Sequence, residues 1–189
     1  MNQLLAEIKA CTLCQSHLAW PVNPVVRASA DSKIIIIGQA PGRIVHQTSV
    51  PWNDKSGDNL REWLGVTKEQ FYDTALFELM TMGFFYHGTG VRGDLPPRPE
   101  CAATWHKRLL AEMPNASLTL LVGQYAQNYY LQKPSSDTLT QSVRKFRHYL
   151  PAYFPLPHPS PRNNLWQAKN PWFRQDVLPE LQSIVQSYL

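Results

Sequence analysis

Lys33-Ile34-Ile35-Ile36-Ile37-Gly38-Gln39-Ala40-Pro41-Gly42 joins an unbroken run of isoleucines to a short loop bounded by glycines. A strand with one wet face alternates apolar and polar residues. A continuous β-branched run instead marks a strand buried on both faces, as in a parallel sheet. The pattern repeats at Leu118-Thr119-Leu120-Leu121-Val122, closed by Gly123 and followed by a helical stretch over 124–131. Residues 74–81 predict another strand, and 152–156 a short last one that delivers His158. Apolar residues at helical spacing predict helices over 1–10 (Leu4, Leu5, Ile8), 56–64 (Leu60, Trp63, Leu64) and 100–113, where Trp105, Leu109 and Leu110 face inward and Pro114 ends the run. A closing helix is predicted over 171–188, an irregular arm over 20–31, and a Pro- and Gly-rich loop, the longest of the chain, over 83–99. Alternating strands and helices predict an α/β fold, a three-layer α/β/α sandwich around a mainly parallel sheet, with residues 1–189 as a single domain. In such sheets ligands bind beyond the carboxyl ends of the strands. That is where both the Gly38–Gly42 loop and the sequence His158-Pro159-Ser160-Pro161-Arg162-Asn163 fall.

The 189 residues, 43% of them hydrophobic, suffice for a substantial core. The net charge of +4 and pI near 9.0 are compatible with a polyanionic partner without requiring one. Met1-Asn2-Gln3-Leu4-Leu5-Ala6-Glu7 lacks the basic and apolar regions of a secretory leader, and no apolar stretch has the length of a membrane span. The expected compartment is the cytoplasm, or the nucleus of a eukaryote, and no membrane partner is expected. Three cysteines in a reducing compartment argue against a disulfide framework.

A histidine in a proline-locked loop at a strand end suits an electrophilic role: its N–H can donate to an oxyanion developing on a leaving group. A bare His-Pro pair is also compatible with a loop histidine that is merely hydrogen-bonded. The whole stretch HPSPRN, however, resembles the second motif of the single-strand-selective monofunctional uracil-DNA glycosylases. GQAPG is similar to the first-motif loops, GEAPG and GLAPG, of families 4 and 5 of the uracil-DNA glycosylase superfamily. The resemblance implies DNA as partner and cleavage of an N-glycosidic bond after the base is flipped out of the helix. It makes His158 the catalytic electrophile and Arg162 a DNA wedge or phosphate contact, with Ser160 and Asn163 shaping the DNA-binding loop. The alternative for Arg162 is a solvated surface charge.

Gly38, Gln39, Ala40, Pro41 and Gly42 become the base-binding loop. Ala40 stands where several families carry a water-activating Asp or Asn, and Gln39 cannot act as a base. Its amide and the N–H groups of Ala40 and Gly42 suit a base or phosphate; the plainer reading of Gly38 and Gly42 is turn residues with positive φ. Pro51-Trp52-Asn53-Asp54-Lys55-Ser56-Gly57-Asp58 is similar to the GDxSGD segment of family 5. That likeness implies Asp54 as the residue positioning water, against a plain helix cap by Asp54 or Ser56. Trp52 takes the place of a family 4 aromatic that stacks on the extruded base.

Families 4 and 5 hold an iron–sulfur cluster with four cysteines. Cys11-Thr12-Leu13-Cys14 and Cys101 match three of them, but Phe85 stands at the third position. Three thiolates and a phenylalanine cannot make a four-cysteine site. The expectation is therefore no cofactor, with the cluster lost and Phe85 filling its place. Zinc is the alternative, with His87 as a fourth ligand. Thr81 occupies the place of an Asn that reads the uracil edge in these families and makes fewer hydrogen bonds than an amide. The expected function is a monomeric, monofunctional DNA repair glycosylase. The alternatives are a catalytically lapsed DNA- or nucleotide-binding relative and a hydrolase of small nucleosides.

Overall fold

The computed structural model describes residues 1–91 and 93–189. Its strands are β1 (Ile34–Gly38), β2 (Phe77–Thr81), the two-residue pair β3 (Thr89–Gly90) and β4 (Gly93–Asp94), β5 (Leu118–Val122) and β6 (Tyr153–Leu156). Its helices are α1 (Asn2–Lys9), α2 (Arg43–Thr48), α3 (Lys55–Leu64), α4 (Lys68–Phe71), α5 (Pro99–Ala111), α6 (Gln124–Tyr130), α7 (Leu139–Arg144), α8 (Asn164–Lys169) and α9 (Leu178–Gln186). Four strands form one sheet in the order β2-β1-β5-β6, and every pair is parallel.

The isoleucine run is buried on both faces because period-two alternation sends neighbouring side chains to opposite layers. Ile34 and Ile36 pack with Leu60 and Trp63 of α3 and Leu181 and Val185 of α9. Ile35 and Ile37 pack with Leu4 and Ile8 of α1 and Trp105 and Leu109 of α5. The predicted three-layer α/β/α sandwich with a parallel sheet is what forms. Pro155 is tolerated because β6 is an edge strand and need not donate outward. The other edge, β2, is covered by the arm: Arg27 and Leu79 exchange backbone hydrogen bonds, and the Val25 N–H donates to the Phe84 carbonyl.

Four local features depart from expectation. The strand predicted over 74–81 begins only at Phe77, because Asp73 turns the chain by accepting the Ala75 N–H. Two-residue strands, β3 and β4, pair inside the predicted loop 83–99. Helices α2, α4, α7 and α8 had no place in the sequence reading; each has seven residues or fewer. The closing helix opens with a π-helical turn, Phe173–Val177, ahead of α9, because Pro179 has no N–H to donate back to it.

β1 sends the chain to β2 on one side, while β5 lies on its other side. The loops leaving β1 and β5 therefore diverge and open a crevice at the carboxyl edge.

Candidate active site

The first wall of the crevice is the loop after β1. Its carbonyls are tied down, since the Met82 N–H donates to the Gly38 oxygen at 2.9 Å and the Gly83 N–H to the Gln39 oxygen at 3.1 Å. Gly38 is glycine for lack of space: a Cβ there would sit 2.6 Å from Cζ2 of Trp52. Neither Gly38 nor Gly42 has a positive φ, which corrects the turn-residue reading. Gly42 has φ −77° and starts α2.

Trp52 is the strained element of the site. It holds φ at +56° and is only 7% exposed; a non-glycine residue in that region costs on the order of 1–3 kcal/mol. The surroundings enforce it. Tyr72 donates to the Pro51 carbonyl at 2.8 Å, and a Cβ on Gly57 would collide with the Trp52 carbonyl oxygen. The Gly of the Ser-Gly-Asp segment is thus required so that α3 can approach the Trp52 backbone. The indole lies 6.0 Å from the His158 ring, tilted by 33°, with its N–H buried and unpartnered.

Asp54 is the helix cap, and its second carboxylate oxygen is left over for the cavity. Oδ1 caps α3 by accepting the Gly57 N–H at 2.9 Å. Oδ2 points toward Gly42, 3.7 Å from where a Cβ on that glycine would be.

His158 follows β6 and fits beside Gly123 at 3.7 Å, where φ of +88° also calls for glycine. Nδ1 accepts the Ser160 N–H at 3.2 Å, so the neutral ring carries its proton on Nε2. Nε2 has no protein partner among the described residues. Burial holds the imidazole below the usual histidine range, against the opposing charges of Asp54 and Asp94. A neutral N–H donor is therefore held facing a cavity.

The loop that carries it is braced. Asn163 donates to the His158 carbonyl at 2.7 Å, Asn59 of α3 to the Pro159 carbonyl at 2.8 Å, and Ser160 Oγ accepts the Arg162 N–H at 3.3 Å. The Asn163 amide is thus engaged inside the protein. Arg162 is exposed, with its guanidinium lying on Gly93.

These groups enclose a cavity of about 270 Å³. Residues 39–42 line it together with Trp52, Asp54, Thr81, His158, Ser160 and Arg162. Gly38 lies behind Trp52, and Asn163 supports from outside. The Thr81 hydroxyl donates to the Gly83 carbonyl at 2.8 Å, so it can only accept from a ligand. Behind Thr81, His106 Nε2 donates to the Thr81 carbonyl at 3.1 Å and Nδ1 accepts from the Tyr130 hydroxyl at 2.6 Å. Burial pushes His106 down to about 4, which keeps that tautomer neutral. Sequence reading missed His106, Asn59 and, above all, Asp94, which reaches the cavity from β4. Only the Pro- and Gly-rich character of 83–99 marked that loop as functional.

The three cysteines are buried and free, and close enough that the charges of Cys11 and Cys14 oppose ionisation of Cys101. Burial pushes Cys101 up to about 12, and its Sγ accepts the Phe84 N–H at 3.3 Å. Phe85 is 1% exposed. The Arg98 guanidinium, ion-paired with Glu100, stands beside Cys14. His87 is buried with both nitrogens unpartnered. Among the described residues, no group of three or more His, Cys, Asp or Glu side chains is arranged to hold a metal ion. The thiols do not fit a four-thiolate cluster: there are three of them, and Phe85 holds the sequence position of the missing one.

No helix among the described residues is long and apolar enough to cross a membrane. Residues 26–182 match the family model of the Uracil DNA glycosylase superfamily, and the chain belongs to that superfamily.

Proposed function

We propose that this superfamily member is a monofunctional DNA N-glycosylase that removes a deaminated or damaged base. The observation that carries the proposal is the neutral His158 Nε2–H, unpartnered among the described residues and facing the cavity beside Trp52. Breaking an N-glycosidic bond leaves negative charge on the base and positive charge on the sugar. A preorganised donor for the base and a nearby carboxylate for the sugar and its water match that distribution. The extruded base stacks on Trp52, His158 donates to its carbonyl oxygen, and Asp54 Oδ2 holds water. Among the described residues no lysine lines the cavity, so no amine is placed to form a Schiff base, and water is the nucleophile. Arg162 at the mouth contacts the DNA backbone or fills the gap left by the base.

The protein acts as a monomer inside the cell and needs no metal. Elemental analysis of anaerobically purified protein should find neither iron nor zinc; about four irons per chain would overturn that part. The function is tested by incubating the protein with oligonucleotides carrying uracil, hypoxanthine, xanthine or hydroxymethyluracil and scoring abasic sites. Abasic sites with at least one base support the reading. DNA binding without any base release favours the lapsed relative, to which Ala40 and the committed Thr81 hydroxyl point.

A further inference from the structure

We propose that Asp94, carried by the β3–β4 hairpin, is a second catalytic carboxylate that shares the attacking water with Asp54; this rests on the glycosylase reading. Both carboxylates line the cavity, and both approach Gly42. A Cβ on Gly42 would have Asp94 Oδ2 at 3.5 Å and Asp54 Oδ2 at 3.7 Å. Both Oδ2 atoms are without a protein partner among the described residues, while each Oδ1 is occupied. Asp54 Oδ1 takes the Gly57 N–H, and Asp94 Oδ1 takes the Thr89 hydroxyl at 3.2 Å.

Asp94 is held in place by a relay. Thr89 has one hydroxyl proton and gives it to Asp94, so the Tyr86 hydroxyl, 2.7 Å from Thr89 Oγ1, donates to Thr89. Tyr86 is itself fixed against Trp20 and His46, with ring centroids 5.7 and 5.8 Å away. The hairpin base is therefore anchored while its carboxylate faces the cavity. The charge reaches the site: Asp94 and Asp54 both oppose the burial that depresses His158.

One water suits two carboxylate acceptors, because both of its protons are then engaged and a lone pair is left for attack. In the step, that lone pair forms the bond to C1′ of the sugar as the bond from C1′ to the base nitrogen breaks. The bonding pair leaves on the base, whose oxygen is held by His158 Nε2–H. One water proton passes to an aspartate, and the base takes a proton from solvent after release. Both carboxylates also face the sugar as it becomes cationic. The arrangement places a carboxylate pair beside the base pocket even though Ala40 occupies the usual first-motif position.

The test compares wild type, Asp94→Asn, Asp54→Asn and the double variant in single-turnover base release, DNA affinity and thermal melting. Asp94→Asn should lower the rate by roughly a hundredfold, leave melting unchanged, and leave DNA affinity equal or tighter because a negative charge is gone from a polyanion's path. The double variant should lose less than the product of the two single losses, since one water is shared. Thr89→Val, which keeps the carboxylate but removes its donor, should give a smaller loss. An unchanged rate in Asp94→Asn overturns the proposal, as do losses that multiply or a rate that falls together with affinity and melting. Wild type inactive on every base instead overturns the glycosylase reading beneath it.

Discussion

The carboxyl edge of the sheet and the cysteine pocket draw on the same segment, residues 81–85, and use it in opposite ways. At the edge, Thr81 faces a cavity whose other walls keep, among the described residues, an unpartnered imidazole N–H, two free carboxylate oxygens and a tryptophan at positive φ. Four residues on, Phe85 is sealed at 1% exposure in the same apolar cluster as Cys11 and Cys101, and the Phe84 N–H satisfies Cys101. One region stores unspent hydrogen-bonding capacity and backbone strain around an opening. The other is packed shut around apolar side chains, with its unmet polar groups, both His87 nitrogens among them, buried inside. A native fold retains strain and unmet donors where surrounding structure enforces them, and these cluster at functional sites.

The contrast can be broken by exchanging the kinds of damage each region should suffer. The largest effect belongs to the packed region: Phe85→Ala should cost about 3–5 kcal/mol in denaturant unfolding, while the folded fraction keeps its base-release rate. A fall in rate with no loss of stability would erase the distinction. Next comes the open region, where His158→Ala should lower base release by roughly two to three orders of magnitude, the usual cost of one oxyanion donor. Its melting temperature should fall only by what the Ser160 N–H bond to Nδ1 contributes, because Nε2 has no partner among the described residues.

Asp54 belongs to both kinds, and two substitutions separate its roles. Asn caps helices about as well as Asp, so Asp54→Asn should keep stability and lose roughly tenfold in rate, whereas Asp54→Ala should lose that rate and also about 1 kcal/mol of stability. Equal stability of the two variants in thermal melting would show that the cap contributes nothing.

The effect that vanishes at low pH lies inside the sheet. Glu78 of β2 is fully buried, both its oxygens are unpartnered, and burial pushes its carboxyl well above the usual range. Because the folded value is raised, its contribution to stability is complete below the unfolded value of 4.5 and is lost as pH rises above it. Glu78→Gln should therefore gain on wild type as pH increases past 4.5, by at most about 1.4 kcal/mol per pH unit. A pH-independent difference between the two in urea titrations would contradict the assignment.

The strands were legible because β-branched runs such as 34–37 have no other stable place than a doubly covered sheet. The long helices were legible through their apolar stripes. Short helices such as α2 and α4 span too few turns to show a stripe, and β3 and β4 are too short and glycine-rich to show alternation. Within the site, His158, Trp52 and Asp54 could be picked out from local sequence. Asp94 could not, because its approach to Gly42 depends on where Tyr86 docks against Trp20 and His46. The reason for each glycine was equally hidden: Gly38 and Gly57 are set by contact with Trp52, a neighbour that only the folded chain brings close.

The central claim is that the open region performs chemistry, and release of a free base from DNA tests it most directly. Chromatography of the small-molecule products from a uracil- or hypoxanthine-containing oligonucleotide should show the intact base, matched by abasic sites, with wild type and not with His158→Ala. Equal release by both proteins, or none by wild type from any of the four substrate bases, would contradict it.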